Sequence, residues 1–134
     1  MPIRNPAVLE PLVLVADDDL DILNIIQMKL EAHGLRVITA RDGQAAIAAV
    51  RRNRPALVIL DIMMPKLNGF QVARMIKFDK QLNRTKVIVL TARTQPSDRK
   101  LSEEVGADEY MTKPFDPQDL LNRIASWLKM KPGS

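Results

Sequence analysis

The chain reads as an α/β domain with a doubly wound, five-stranded parallel sheet. Three observations predict this. Apolar runs of strand length, rich in Val, Ile and Leu, recur five times; helix-length segments separate them; and the runs are continuously apolar rather than alternating. Alternation would mark strands with one wet face, whereas unbroken apolar runs mark strands covered by helices on both sides.

The first run, Leu12–Ala16, leads to a segment with Ile22, Ile25, Ile26 and Leu30 at helical spacing. Asp19 is available as its cap, His33-Gly34 is its stop, and those four residues are its expected buried stripe. The second run, Leu35–Thr39, precedes a helix from about Asp42 to Arg52 in which alanines make a thin stripe and Pro55 closes the connection. Ala56–Leu60 is the third run, and Asn68-Gly69 opens the helix after it, with Val72, Ala73, Met75 and Ile76 as the buried face. The fourth run, Lys86–Leu90, comes before the least apolar helix, from about Ser97 to Val105, which ends at Gly106 and is anchored weakly enough to move. Asp108–Thr112 is the fifth run. Asp116-Pro117 then sets an N-cap and a proline at the first helical position, Asp119 adds charge to the first turn, and Leu120, Ile124, Trp127 and Leu128 form the stripe.

The 134 residues suit one domain, read as 11–130, with 1–10 as a flexible N-terminal extension and 131–134 as a flexible tail. Hydrophobic residues make up 46% of the chain, yet no apolar stretch approaches the roughly eighteen residues a membrane span needs. No signal-peptide pattern opens it. The absence of Cys excludes a disulfide scaffold and suits the cytoplasm, where the chain is placed. The formal charge of +4 raises the question of nucleic acid. Its densest basic group, Arg51, Arg52 and Arg54, falls where a helix should end and where cations offset the helix dipole. No direct nucleic-acid or membrane contact is therefore expected.

Polar residues stand just after the apolar runs: Asp17 and Asp18 after the first, Asp61 after the third, Thr91 after the fourth and Lys113 after the fifth. In the flavodoxin-like (βα)5 order 2-1-3-4-5, ligands bind beyond the carboxyl ends of the strands, in the crevice between the first and third. All five side chains would converge there. Three carboxylates at close range raise one another's pKa unless a cation joins them. Oxygen donors without Cys favour magnesium over zinc, and magnesium typically combines one or two carboxylates with waters and a phosphate oxygen. The pattern points to metal-assisted phosphate chemistry.

Taken in order, Leu14-Val15-Ala16-Asp17-Asp18-Asp19, Leu60-Asp61-Ile62-Met63-Met64-Pro65, Asn68-Gly69-Phe70, Leu90-Thr91-Ala92, Gly106-Ala107-Asp108 and Lys113-Pro114-Phe115 resemble the CheY-like receiver domain of bacterial two-component response regulators. The resemblance covers Pro11 to about Leu128 and is specific in order and spacing. It departs from the usual pattern at Ala16 and at Leu20, where proline is frequent, and neither touches the chemistry.

The resemblance implies that Asp61 is the phosphoryl acceptor, supplied by a sensor histidine kinase, a phosphotransfer protein or a small donor such as acetyl phosphate. It further implies Mg2+, with Mn2+ as an alternative, held by Asp18, Asp61 and the backbone carbonyl of Met63, with Asp17 acting through a water. Lys113 would balance charge, and Thr91 with the Ala92 N–H would hydrogen-bond the phosphoryl oxygens. As the family switch, Thr91 and Tyr110 would move together and alter the face formed by the fourth helix, fifth strand and fifth helix. That face would bind a downstream protein or form a phosphorylation-dependent homodimer. Met63 and Arg93, two residues beyond Asp61 and Thr91, border the path of the hydrolysing water, and their bulk implies slow self-dephosphorylation. Such a chain is a signalling switch that catalyses its own phosphorylation and dephosphorylation, with no output domain within it, whether it acts alone or belongs to a larger regulator or hybrid kinase.

Two other classes share part of this pattern. A magnesium-dependent phosphatase or phosphotransferase would also use an aspartyl nucleophile, but generally needs a second acid two residues later, where this chain has Met63. A flavin-binding protein of flavodoxin type needs a Ser/Thr/Gly-rich phosphate loop after the first strand, which is lacking. The single His33 has no metal-ligand companion.

Overall fold

The structure, a computed structural model, describes residues 11–92 and 96–130. Ten elements alternate: β1 (Leu12–Ala16), α1 (Leu20–Glu31), β2 (Arg36–Ala40), α2 (Gly43–Asn53), β3 (Leu57–Asp61), α3 (Gly69–Lys77), β4 (Lys86–Thr91), α4 (Pro96–Glu104), β5 (Glu109–Thr112) and α5 (Pro117–Trp127). The strands form one sheet in the order β2-β1-β3-β4-β5, every pair parallel. The doubly wound fold expected from the sequence is the one observed. The expected 1–10 and 131–134 extensions lie outside the described residues, as does Arg93.

Because neighbouring side chains of a strand point to opposite faces, each strand feeds two cores. Leu14, Val58, Leu60, Val87 and Val89 pack with Ala46, Val50, Val72 and Ile76 from α2 and α3. Val13, Val15, Leu57, Ile59 and Ile88 pack with Leu23, Ile26, Leu30, Leu120 and Ile124 from α1 and α5. Burial of β3 is complete along its length, which explains its unbroken apolar sequence. Among the described residues no helix is long and apolar enough to cross a membrane.

Several sequence expectations shift. Asp61 and Thr91 are the last residues of β3 and β4 rather than the first of the loops, because both strands stay in the ladder one residue longer. In α1 the buried residues are Leu23, Ile26 and Leu30, while Ile25 is 52% exposed. A helix turns about 100° per residue, which carries position 25 to the side opposite the other three. Phe70 is buried in α3 and Met75 is only partly so. In α5 the buried set is Leu120, Leu121, Ile124 and Ala125, with Trp127 half-buried at the end. α4 buries only Asp98 and Ser102, in keeping with its polar sequence.

The caps follow the sequence. Asp19 accepts from the Asp21 and Ile22 amides at the start of α1, Asp42 caps α2, Asn68 and Gln71 form a capping box on α3, and Asp116 caps α5. At the lower end of the sheet the Lys77 ammonium donates to the carbonyls of Asn83 and Thr85 and to Asp108 Oδ2, which also accepts from the Val87 N–H at 2.8 Å. This knot joins α3, β4 and β5.

Candidate functional site

Register brings the site together before any side chain is considered. Ala16 lies opposite Leu60, so Asp17 and Asp61, one residue further on, stand level on adjacent strands. Asp61 lies opposite Leu90, and Thr91 opposite Thr112, the residue before Lys113. The five residues singled out in the sequence therefore share one end of the sheet.

Asp17 is 1% exposed and Asp61 4% exposed, while Asp18 is open to solvent. One carboxylate oxygen from each lies within 4.8 Å of those of the other two, an arrangement able to hold a metal ion. Hard oxygen donors this close fit a divalent cation of the magnesium or calcium type better than a soft metal. Lys113 Nζ donates to Asp17 Oδ2 at 2.7 Å and lies 3.2 Å from Asp61 Oδ1. One ammonium thus serves two buried carboxylates.

The electrostatics follow. Burial raises the pKa of Asp61 and the charge of Asp17 raises it further; Lys113 and a hydrogen bond from the Met63 amide pull it down without cancelling the rise. For Lys113, burial alone would lower the pKa, but the hydrogen bond to Asp17 and the charges of Asp61 and Asp17 outweigh it, and the net shift is upward. Asp61 therefore holds a proton more readily than an isolated carboxylate would.

Backbone contacts fix Asp61. A Cβ on Gly69 would fall 2.5 Å from the Asp61 carbonyl oxygen, so only glycine lets the start of α3 close over the end of β3. The Gly69 N–H also donates to the Ile62 carbonyl at 3.0 Å. Thr91 is fully buried, and its carbonyl accepts from the Lys113 N–H at 2.7 Å. Tyr110 is half-buried on β5 against the α2-α3 core, with the Arg99 guanidinium 5.7 Å from its ring centre. Burial and then the Asp98 charge push its hydroxyl pKa up, while Arg99 opposes them. The Met63 side chain is 55% exposed beside the cluster.

Two cavities flank the cluster. One of about 660 Å3 opens between the β3-α3 loop and α4, with Asp18, Met63, Asn68, Asp98 and Leu101 among its lining residues. Asp98, which the sequence offered no reason to single out, is 92% buried there (8% exposed), and its Oδ2 has no hydrogen-bond partner among the described residues. Its position seven residues beyond Thr91, in a helix with almost no apolar residues, was the only available signal. The other, about 530 Å3, is an apolar groove between α1 and the β5-α5 loop, and Lys113 forms part of its wall.

This arrangement has relatives. Residues 13–125 match the response regulator receiver domain family. The alkaline phosphatase synthesis transcriptional regulatory protein PhoP of Bacillus subtilis is 38% identical over 117 residues, 87% of this chain and 48% of that protein. The response regulator DrrB of Thermotoga maritima superposes with a TM-score of 0.82 at 35% identity, over 90% of this chain and 54% of that one. The chemotaxis protein CheY4 of Vibrio cholerae gives 0.82 at 30% identity, over 88% and 98%. The chain spans about half the length of the curated relatives it matches. With its sheet order, its strand-end carboxylates and a match across most of its length, this chain belongs to the response regulator receiver domain family, the signalling switches of two-component systems.

Proposed function

We propose that this receiver, spanning residues 11–130, accepts a phosphoryl group on Asp61 and thereby changes what its α4-β5-α5 face binds. The observation that carries the reading is the setting of Asp61: a buried carboxylate at the end of the central strand, beside two further acids, with one shared ammonium. The donor is the phosphohistidine of a sensor kinase or phosphotransfer protein, or acetyl phosphate. The Asp61 carboxylate attacks phosphorus, an acyl phosphate forms, and the bond to the donor histidine nitrogen breaks. Lys113 neutralises charge on the incoming group, and the Thr91 hydroxyl and Ala92 N–H donate to its oxygens. Asp18, Asp61 and the Met63 carbonyl would hold Mg2+, or Mn2+ in its place, with Asp17 acting through a water. When bound, the ion supplies the positive charge that the three carboxylates lack.

The apolar groove supports a protein donor. Ile22, Ile25, Phe115 and Pro117 line it together with Lys113, and exposed Ile25 and Met28 extend the apolar surface along α1. A helix seated there would stand next to Asp61. On the opposite flank, Thr91 and Tyr110 couple the site to α4, β5 and α5, where Arg99, Leu101, Asp119 and Arg123 offer charges and an apolar residue to a downstream partner or a second copy. The names of the curated relatives support a role in transcription for the whole protein, and its lack of Cys suits the cytoplasm.

The test is incubation with acetyl phosphate and MgCl2, followed by intact mass spectrometry. Wild type should gain one alkali-labile, hydroxylamine-labile phosphate, and Asp61→Asn should not. Incorporation by Asp61→Asn at the wild-type level would overturn the assignment.

A further inference from the structure

The function proposed above leaves the positive charge of the chain unused. Its site is acidic, and the first turns of α1 and α5 add Asp19, Asp21, Asp116 and Asp119 at the same end of the sheet. The cations behind the net charge of +4 include a group away from that end.

Much of it gathers at the opposite pole. Arg51 and Arg52 occupy the last turn of α2, Arg54 caps it, and Lys80 and Arg84 lie in the turn between α3 and β4. Arg54 Nη2 donates to Gln81 Oε1 at 3.4 Å and Thr85 Oγ1 to the Pro55 carbonyl at 3.0 Å, so the two segments form one surface. All five cations are exposed, and none makes an ion pair among the described residues. Of the acids toward this end, Asp108 is held by Lys77 and Glu109 by Arg123, Glu31, Glu103 and Glu104 lie at the ends of α1 and α4, and Asp79, whose Oδ1 accepts from the Gln81 N–H, is the one acid within residues 51–55 and 78–85 that carry the five cations. A helix dipole accounts for Arg51 and Arg52. It gives no account of Lys80 and Arg84.

We infer that this basic pole binds the phosphate backbone of duplex DNA without regard to sequence. Four of its five cations are arginines, whose planar forks suit phosphate oxygens. The surface is made of helix end and turn, with no element shaped to enter a groove, so it reads charge rather than bases. The choice of DNA among polyanions rests on the transcriptional role proposed above. Since the strands separate this pole from Asp61 by about 3.3 Å per residue, DNA and the phosphoryl donor do not compete for space.

Fluorescence anisotropy with the full chain and a labelled duplex of arbitrary sequence tests this. Binding should be measurable at about 50 mM salt and weaken steeply towards 200 mM, as counterion release requires. The variant Arg51→Gln/Arg52→Gln/Lys80→Gln/Arg84→Gln should bind at least ten-fold more weakly, with its salt slope reduced by about one per cation removed. Lys80→Gln/Arg84→Gln, which leaves the α2 end intact, should lose about half of that slope change. Arg41→Gln/Lys100→Gln, which removes exposed cations elsewhere, should bind as wild type. Acetyl phosphate labelling of each variant separates failure here from failure of the switch. Absence of binding at low salt, equal binding by the fourfold variant, or tighter binding to polyglutamate or phosphatidylserine vesicles than to DNA would overturn the inference.

Discussion

Lys113 Nζ stands 2.7 Å from Asp17 Oδ2, and this contact joins the last strand of the sheet to the second in spatial order, across β3 and β4. The carboxylate is 99% buried (side chain 1% exposed), so its stability depends on the ammonium beside it. Lys113→Met should destabilise the magnesium-free protein by about 3 kcal/mol, the usual effect of orphaning a buried charge. Urea unfolding with and without MgCl2 checks it. Magnesium should recover a larger share of stability in the variant than in wild type.

A pH dependence follows from the raised pKa of Asp61. Between the unfolded carboxylate value and that raised value the folded chain holds more protons than the unfolded chain. Stability contributed by this group therefore falls as pH rises through that window. Thermal melts in EDTA should show Tm declining there, less so in Asp61→Asn, whose Tm near neutral pH should exceed that of wild type. Saturating MgCl2 should remove the difference or reverse its sign. An Asp61→Asn protein with a lower Tm than wild type in EDTA would contradict the electrostatic account.

Gly69 gives a steric prediction. In Gly69→Ala the new methyl would meet the Asp61 carbonyl oxygen at 2.5 Å, and backbone must shift. A loss of about 2 kcal/mol is expected from overpacking of this kind. Phosphorylation by acetyl phosphate should slow by more than stability alone explains, because the shift displaces the proposed acceptor itself.

The far end of the sheet should behave differently. Asp108→Asn weakens the ion pair with Lys77, whose side chain is 12% exposed, and disturbs the bond from the Val87 N–H. A cost of about 2 to 3 kcal/mol is expected. Folded Asp108→Asn should still accept phosphate at the wild-type rate, and a large rate loss would mean the knot has a role beyond holding β4 and β5.

Met63 is exposed beside Asp61, the proposed acceptor, where its bulk is proposed to hinder water. Met63→Ala should shorten the lifetime of the acyl phosphate several-fold in magnesium without changing stability by more than about 0.5 kcal/mol. Decay of the mass-shifted species with time measures it.

The fold and the cluster were legible because both rest on patterns a sequence carries directly. A continuous apolar run of about five residues between helix-length segments fits a covered strand, and polar residues that end several parallel strands come to the same sheet edge. What was illegible depended on facing partners. Ile25 has the same chemistry as Ile26, and only the angular position set by the cap at Asp19 turns it outward. Asp98 reads as an ordinary helix-start acid until α4 is seen lying over the cavity. Lys80 and Arg84 are scattered charges in the sequence; hydrogen bonds across the turn make them neighbours of Arg54.

The only tryptophan sits on the face proposed to switch. Trp127 Nε1 donates to Glu109 Oε1 at 2.6 Å, one residue before Tyr110, and the Lys86 ammonium lies 5.2 Å from its ring centre. Arg123 holds the same carboxylate from the other side. A rearrangement of β5 against α5 would change both the hydrogen bond and the charge facing the indole. The molecule thus carries an unlabelled optical reporter: its emission spectrum, followed in real time, should record the proposed conversion of one state into the other.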